Sequence, residues 1–199
     1  MSNLFDRICS PERHVSCSVL ASVLELAVQL AREGREGKKI GTIFTVGDEI
    51  NVLKFSRCLI LDPLHGHDGR LKQIENADMR ETVKELAQLD GAFVVSDSGT
   101  VLSSARYLEA PTHNAHLPLG LGTRHMAAAA MSQHTEAVVA VVSTSSIVRV
   151  FDDGQIVGEI LPELWLIQRK SLYIPEAIIE EQEQEKIAIV TPQPRVNSR

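Results

Sequence analysis

The chain has 199 residues, 44% of them apolar, which fits one domain with a sizeable core. Its formal net charge is −6, so we expect no general attraction to nucleic acid or to an anionic membrane. No apolar run reaches membrane-spanning length, no signal peptide is evident, and three cysteines without a Cys-x-x-Cys spacing favour a reduced, cytoplasmic protein.

The first half of the chain predicts three helices and one strand. The helices show apolar residues at helical spacing, and the strand is rich in β-branched residues. The predicted elements are a helix over 17–32, a strand over 40–46, a short helix over 48–55, a loop over 62–70 and a helix over 78–89. Asp48 and Asp78 are the expected helix caps, with Glu81 completing a capping box for the second.

The second half predicts mainly strands. The predicted elements are a hairpin over 92–96 and 101–107, a loop over 110–121, a helix over 123–133, a strand over 137–142 and a hairpin over 147–151 and 155–160. Together they indicate a mixed sheet flanked by helices, in the α/β class with α+β possible. We expect residues 1–15 to be an extension, 16–170 the domain, and 171–199 a charged, partly disordered tail.

The stretch GLGTRHMA at residues 120–127 is typical of a helix N-terminus, because glycines and a threonine lead into an alanine run. The first N–H groups of a helix lack partners and its dipole end is positive, so this end binds phosphate readily. Arg124 adds several hydrogen-bond donors in one plane, and His125 adds a donor group whose protonation can change near neutral pH. An ordinary capped helix is the alternative interpretation.

Asp90 stands where the predicted helix over 78–89 ends and an apolar strand begins. A carboxylate at such a junction can hold a divalent metal or accept a proton. The alternative is a simple turn, since Asp-Gly is a common turn pair.

These two segments resemble the diadenylate cyclase family, whose signatures are Asp-Gly-Ala and Gly-Thr-Arg-His-Arg. Residues 33–47, 51–56 and 83–92 also look similar to the family. The resemblance extends from about residue 20 to about residue 165, and it is strongest to stand-alone archaeal cyclases.

The resemblance implies that the domain is a nucleotidyltransferase, which joins two ATP molecules into the second messenger cyclic di-AMP and releases two pyrophosphates. It implies Asp90 as the catalytic residue and metal ligand, with a divalent ion, Mn²⁺ in preference to Mg²⁺. The implied ATP-binding residues are Gly91, Ala92, Leu108, Thr123, Arg124, His125, Met126 and Ser143. The partners expected are ATP and a second copy of the chain, paired face to face in a homo-oligomer, without nucleic acid or membrane.

Three positions depart from the family pattern. Met126 replaces an arginine, so one positive charge is lost unless Arg106 or Arg149 compensates. Residues 144–146 are Thr-Ser-Ser where many relatives have acids, and Leu89 stands where many have histidine. A second metal ligand is therefore not evident, and Glu136 is a candidate only because it is near in sequence.

Two alternatives remain open at this point. A degenerate relative would bind ATP or a cyclic dinucleotide without synthesis, which the loss of charge at Met126 motivates. A metallohydrolase would instead use His65 and His67, although the third histidine of such a motif is missing.

Overall fold

The computed structural model describes residues 8–9, 13–113, 117–161, 177–182 and 187–192. The helices are α1 (Cys17–Glu33), α2 (Glu49–Lys54), α3 (Ala77–Leu86) and α4 (Thr123–His134), with a short 3-10 helix at Gly69–Lys72. The strands are β1 (Thr42–Val46), β2 (Ser56–Cys58), β3 (Ala92–Val95), β4 (Val101–Leu108), β5 (Val138–Val142), β6 (Val148–Asp152), β7 (Gln155–Leu161), β8 (Ala177–Gln182) and β9 (Ile187–Pro192).

All of these strands join one mixed sheet in the order β2-β4-β3-β1-β5-β6-β7-β9-β8. The pair β1–β3 is parallel, with Ile43 opposite Ala92, and the other pairs are antiparallel. The parallel pair is connected through α2, β2 and α3, as a crossover requires. The predicted mixed sheet flanked by helices is confirmed.

Two apolar clusters lie on opposite faces of the sheet. Helix α1 packs on one face with residues such as Leu24, and α4 packs on the other with residues such as Ala129. Strands β1, β3 and β5 are buried at every position. Covering both faces explains why these strands are nearly continuous apolar runs instead of alternating patterns.

Some details differ from the sequence-based expectations. The cap of α3 is Asn76, whose side chain accepts a hydrogen bond from the Asp78 backbone N–H, so the prediction of Asp78 as the cap was wrong. Asp48 does precede α2, but its side chain makes no cap hydrogen bond. Instead it accepts from the Glu136 backbone N–H at 3.0 Å.

Strands β2, β8 and β9 were not predicted. The last two form a hairpin that extends the sheet beyond β7 and lies within the segment expected to be a tail. Much of the predicted extension over 1–15 and tail over 171–199 lies outside the described residues, so these domain limits stay predictions. No helix in the described ranges is both long and apolar enough to cross a membrane.

Candidate active site

A cavity of about 790 Å³ opens at the N-terminus of α4. The start of β1, the end of β4, the end of β5 and the residues just before β3 surround it. Its lining residues are Ile43, Leu59, Asp90, Gly91, Arg106, Tyr107, Leu108, Thr112, Gly120, Gly122, Thr123, Arg124, His125, Met126, Ala127, Val141, Val142, Ser143, Thr144 and Ser145.

The fold brings the predicted site residues together although they are far apart in sequence. The predicted residues that line the cavity are Asp90, Gly91, Leu108, Thr123, Arg124, His125, Met126 and Ser143. Ala92 instead lies fully buried in β3, within the core on the α4 side of the sheet. Leu59 and Thr112 were not predicted, because they lie in loops without a recognisable motif.

The first turn of α4 faces the cavity with little capping. Its N-cap is Gly122, which has extended backbone and no side chain to bond the helix N–H groups. The backbone N–H groups of His125 and Met126 donate to the Gly122 carbonyl. With the positive end of the helix dipole, this geometry is compatible with the anion site that the sequence predicts.

Asp90 and Arg124 form an ion pair across the mouth of the cavity. The distance from Arg124 Nη2 to Asp90 Oδ1 is 2.8 Å, and the two side chains are 42% and 85% exposed. Such exposed pairs contribute only about 0–1 kcal/mol, so a phosphate or a cation can displace either partner. A Cβ at Gly41 would lie 3.2 Å from Arg124 Nη1, so glycine there leaves room for the guanidinium.

His125 is buried beneath the same helix turn. Its Nε2 lies 3.3 Å from Arg149 Nη1, and its ring contacts that of Phe151 at a centroid distance of 6.2 Å. Burial, together with the positive charges of Arg149 and Arg124, lowers the pKa of His125 to about 4. The imidazole is therefore neutral at pH 7, and its buried Nδ1 has no hydrogen-bond partner within the described residues.

Gly91 fixes the position of Asp90 through a close approach of two backbones. Its φ is +111°, and a Cβ there would lie 2.7 Å from the Ala105 carbonyl carbon and from the Arg106 nitrogen. The facing strand β4 is irregular here, with Ala105 at φ 51° and a shift in register against β3. Only glycine fits this contact without displacing the strand.

The chain is similar to known proteins over most of its length. The model of the DAC family, described as DisA bacterial checkpoint controller nucleotide-binding, matches residues 29–156. A curated diadenylate cyclase of Methanocaldococcus jannaschii is 46% identical over 144 residues, covering 72% of this chain and 45% of that protein. The chain belongs to the DAC family. The predicted resemblance is confirmed.

A second curated diadenylate cyclase, from Haloferax volcanii, is 38% identical over 148 residues, covering 74% of this chain and 54% of that protein. The chain thus spans about half the length of these two archaeal relatives. A crystal structure of a hypothetical membrane-spanning protein from Bacillus cereus aligns with a TM-score of 0.53 at 20% identity, covering 69% of this chain and 61% of that one. That likeness shows the fold alone.

Ser143 directly follows β5, in a turn that contains further hydroxyl side chains. Ser143 Oγ lies 2.8 Å from Ser145 Oγ and accepts a hydrogen bond from the Ser145 backbone N–H. Thr144 also lines the cavity. Among the described lining residues, Asp90 is therefore the one carboxylate.

The two arginines considered as replacements for the charge lost at Met126 differ in position. Arg106 lines the cavity, but its guanidinium donates to Ser56 Oγ at 2.9 Å and to the Ser56 carbonyl at 2.8 Å. Arg149 is not a lining residue, and its charge faces Glu159, 2.6 Å away. Of the two, only Arg106 is placed to add positive charge to the cavity.

The ligand set for a metal is small. No group of three or more His, Cys, Asp or Glu side chains able to hold a metal occurs in the part of the chain that the structure describes. Glu136 follows the far end of α4, about 18 Å along the helix from the cavity, so it is not the second ligand. His65 and His67 are exposed and have no third ligand in the described ranges, which removes support for a metallohydrolase.

One carboxylate still fits a particular kind of metal site. Magnesium-type ions bind through one or two carboxylates together with substrate phosphates and water. The exposed Asp90 carboxylate and the adjacent anion-binding helix end suit that arrangement.

Proposed function

We propose that this protein is a diadenylate cyclase, which condenses two ATP molecules into cyclic di-AMP with release of two pyrophosphates. The observation that carries the proposal is that Asp90 and the first turn of α4 line the same cavity and are linked by the Asp90–Arg124 ion pair. The curated relatives named diadenylate cyclase support it. We extend the proposal to a reducing cytoplasm, which agrees with the absence of a disulfide at Cys9, Cys17 and Cys58.

In the proposed reaction, the 3′-hydroxyl oxygen of each ATP bonds to the α-phosphorus of the other, and the bond from that phosphorus to pyrophosphate breaks. The hydroxyl proton leaves through Asp90 to solvent. The free N–H groups at the start of α4, with Arg124 and Thr123, hold the triphosphate in line and stabilise the departing charge. A divalent ion held by Asp90 and phosphate oxygens would supply further positive charge at the reacting phosphate.

The base of ATP is proposed to occupy the other end of the cavity. Leu108 is only 8% exposed and lines the cavity at the end of β4, where it offers an apolar surface to adenine. Tyr107 and Leu59 also line the cavity and are partly exposed. Leu108 also packs in the core, which is compatible with its predicted role in ATP binding.

Incubation with ATP and either Mn²⁺ or Mg²⁺, followed by chromatography, tests the proposed function. Cyclic di-AMP supports synthesis and identifies the more effective metal. ATP that binds without change supports the degenerate relative, a second candidate favoured by Met126 and by the single carboxylate. ATP that neither binds nor reacts rejects both.

Replacing Arg124 should weaken ATP binding and turnover together. A charge-assisted hydrogen bond contributes roughly 1.5–3 kcal/mol, so we expect Arg124→Ala to bind ATP about 10- to 100-fold more weakly. Calorimetry with a non-hydrolysable ATP analogue measures this affinity. Arg70→Ala is the control, because Arg70 also forms an exposed ion pair, with Asp68, outside the cavity. Unchanged affinity in Arg124→Ala would show that its guanidinium does not contact phosphate.

We also propose that two chains pair face to face, because the product is two-fold symmetric and one Asp90 with one α4 serves one ATP. Specific activity should then rise with protein concentration until the pairs saturate. Asp90→Asn chains mixed with wild type should depress activity by more than dilution does. A monomer in ultracentrifugation whose specific activity is independent of concentration would contradict this arrangement.

A further inference from the structure

A buried ion pair lies behind the first turn of α4. Arg149 of β6 and Glu159 of β7 are directly opposite in the sheet, with Nε and Oε1 2.6 Å apart and side chains 4% and 0% exposed. Burying two charges costs desolvation energy that their attraction barely offsets, so apolar residues of similar volume often stabilise a fold equally well. Stability alone therefore gives no reason for a charged pair here.

The pair has a specific contact with the candidate site. Arg149 Nη1 lies 3.3 Å from His125 Nε2. A guanidinium has only donors, so Nε2 must accept this hydrogen bond through its lone pair. The ring proton of the neutral imidazole is then on Nδ1, the buried atom that has no partner within the described residues. His125 lines the cavity.

We propose that Arg149, held by Glu159, is a positioning residue that fixes His125 as the Nδ1–H tautomer and holds its ring beneath the first turn of α4, where ATP phosphates would bind. The effect on ATP binding rests on the proposed function, whereas the tautomer does not. The ring of Phe151 supports the imidazole from the side. The sheet thereby holds a neutral ring behind the helix turn that carries the charged donor Arg124.

The tautomer is tested by ¹⁵N NMR of histidine-labelled protein without nucleotide at neutral pH, with His125→Ala used to assign the signal. Wild type should show a protonated Nδ1 and an unprotonated Nε2. The variant Arg149→Met/Glu159→Leu removes both charges together, because removing one would leave the other charge buried without its ion-pair partner. His125 should then lose the fixed Nδ1–H pattern.

A matched control removes a different ion pair on the same strand. Arg13 pairs with Asp152 at the end of β6, and neither residue lines the cavity. Arg13→Met/Asp152→Leu should leave the His125 signal unchanged. A wild-type Nε2–H tautomer, or an Nδ1–H pattern that persists in the Arg149→Met/Glu159→Leu variant, would overturn the assignment of Arg149.

Affinity for a non-hydrolysable ATP analogue then tests whether the Arg149–Glu159 pair affects ATP binding through His125. His125→Ala and the Arg149→Met/Glu159→Leu variant should each weaken binding roughly tenfold, and combining them should add little. Additive losses would mean that the pair does not act through His125. A wild type without ATP affinity would reject the proposed function, and the tautomer would still decide the role of Arg149.

Discussion

Asp90→Asn is expected to lose cyclic di-AMP synthesis by about a hundredfold to ten-thousandfold, the range that a positioned acid–base group contributes. Asparagine keeps the shape of the side chain but removes the charge that would hold a cation or accept the hydroxyl proton. ATP should still bind, because the substitution also releases Arg124 from its 2.8 Å ion pair. Chromatography of the product and calorimetry of an ATP analogue measure the two effects separately.

Asp68→Asn is the matched control for this substitution. Asp68 is paired with Arg70 at the surface, at 2.6 Å, and does not line the cavity. Synthesis should be unchanged in this variant. Full activity in Asp90→Asn would remove Asp90 from the mechanism, and loss of ATP binding would show that the carboxylate has a structural role.

Gly91→Ala is expected to destabilise the fold and the site together. A left-handed conformation costs a residue with a side chain about 1–2 kcal/mol, and forcing atoms into a packed contact costs about 1–3 kcal/mol more. Here the contact is with the backbone of Ala105 and Arg106, which cannot rotate away. Thermal unfolding should show a fall in melting temperature of roughly 10 °C.

Gly37→Ala separates the cost of the left-handed conformation from the cost of the backbone contact. Gly37 also has a positive φ, of +75°, but a Cβ there meets nothing within 4 Å. Its melting temperature should fall by only a few degrees. If both variants lose equal stability, the close approach of β3 and β4 at Gly91 does not contribute to the destabilisation of Gly91→Ala.

The sequence by itself determined most of the elements that position the site. Helical spacing predicted α1, and the glycine-threonine-alanine pattern predicted α4 to within one residue of its observed end. Short local patterns sufficed because each reflects the element's own hydrogen bonding and one buried face. The three-residue β2 and the hairpin β8–β9 were missed, because their strand conformation depends on pairing with β4 and β7.

Motif resemblance likewise named Asp90, Arg124, His125 and Ser143, but it gave no distances between them. Only the tertiary structure decided that Asp90 and Arg124 are paired and that Glu136 lies at the wrong end of α4. It also decided that Arg149 faces Glu159 and His125 instead of the cavity. These outcomes depend on strand order and register, which bring residues distant in sequence into contact and set the burial, and so the protonation, of His125.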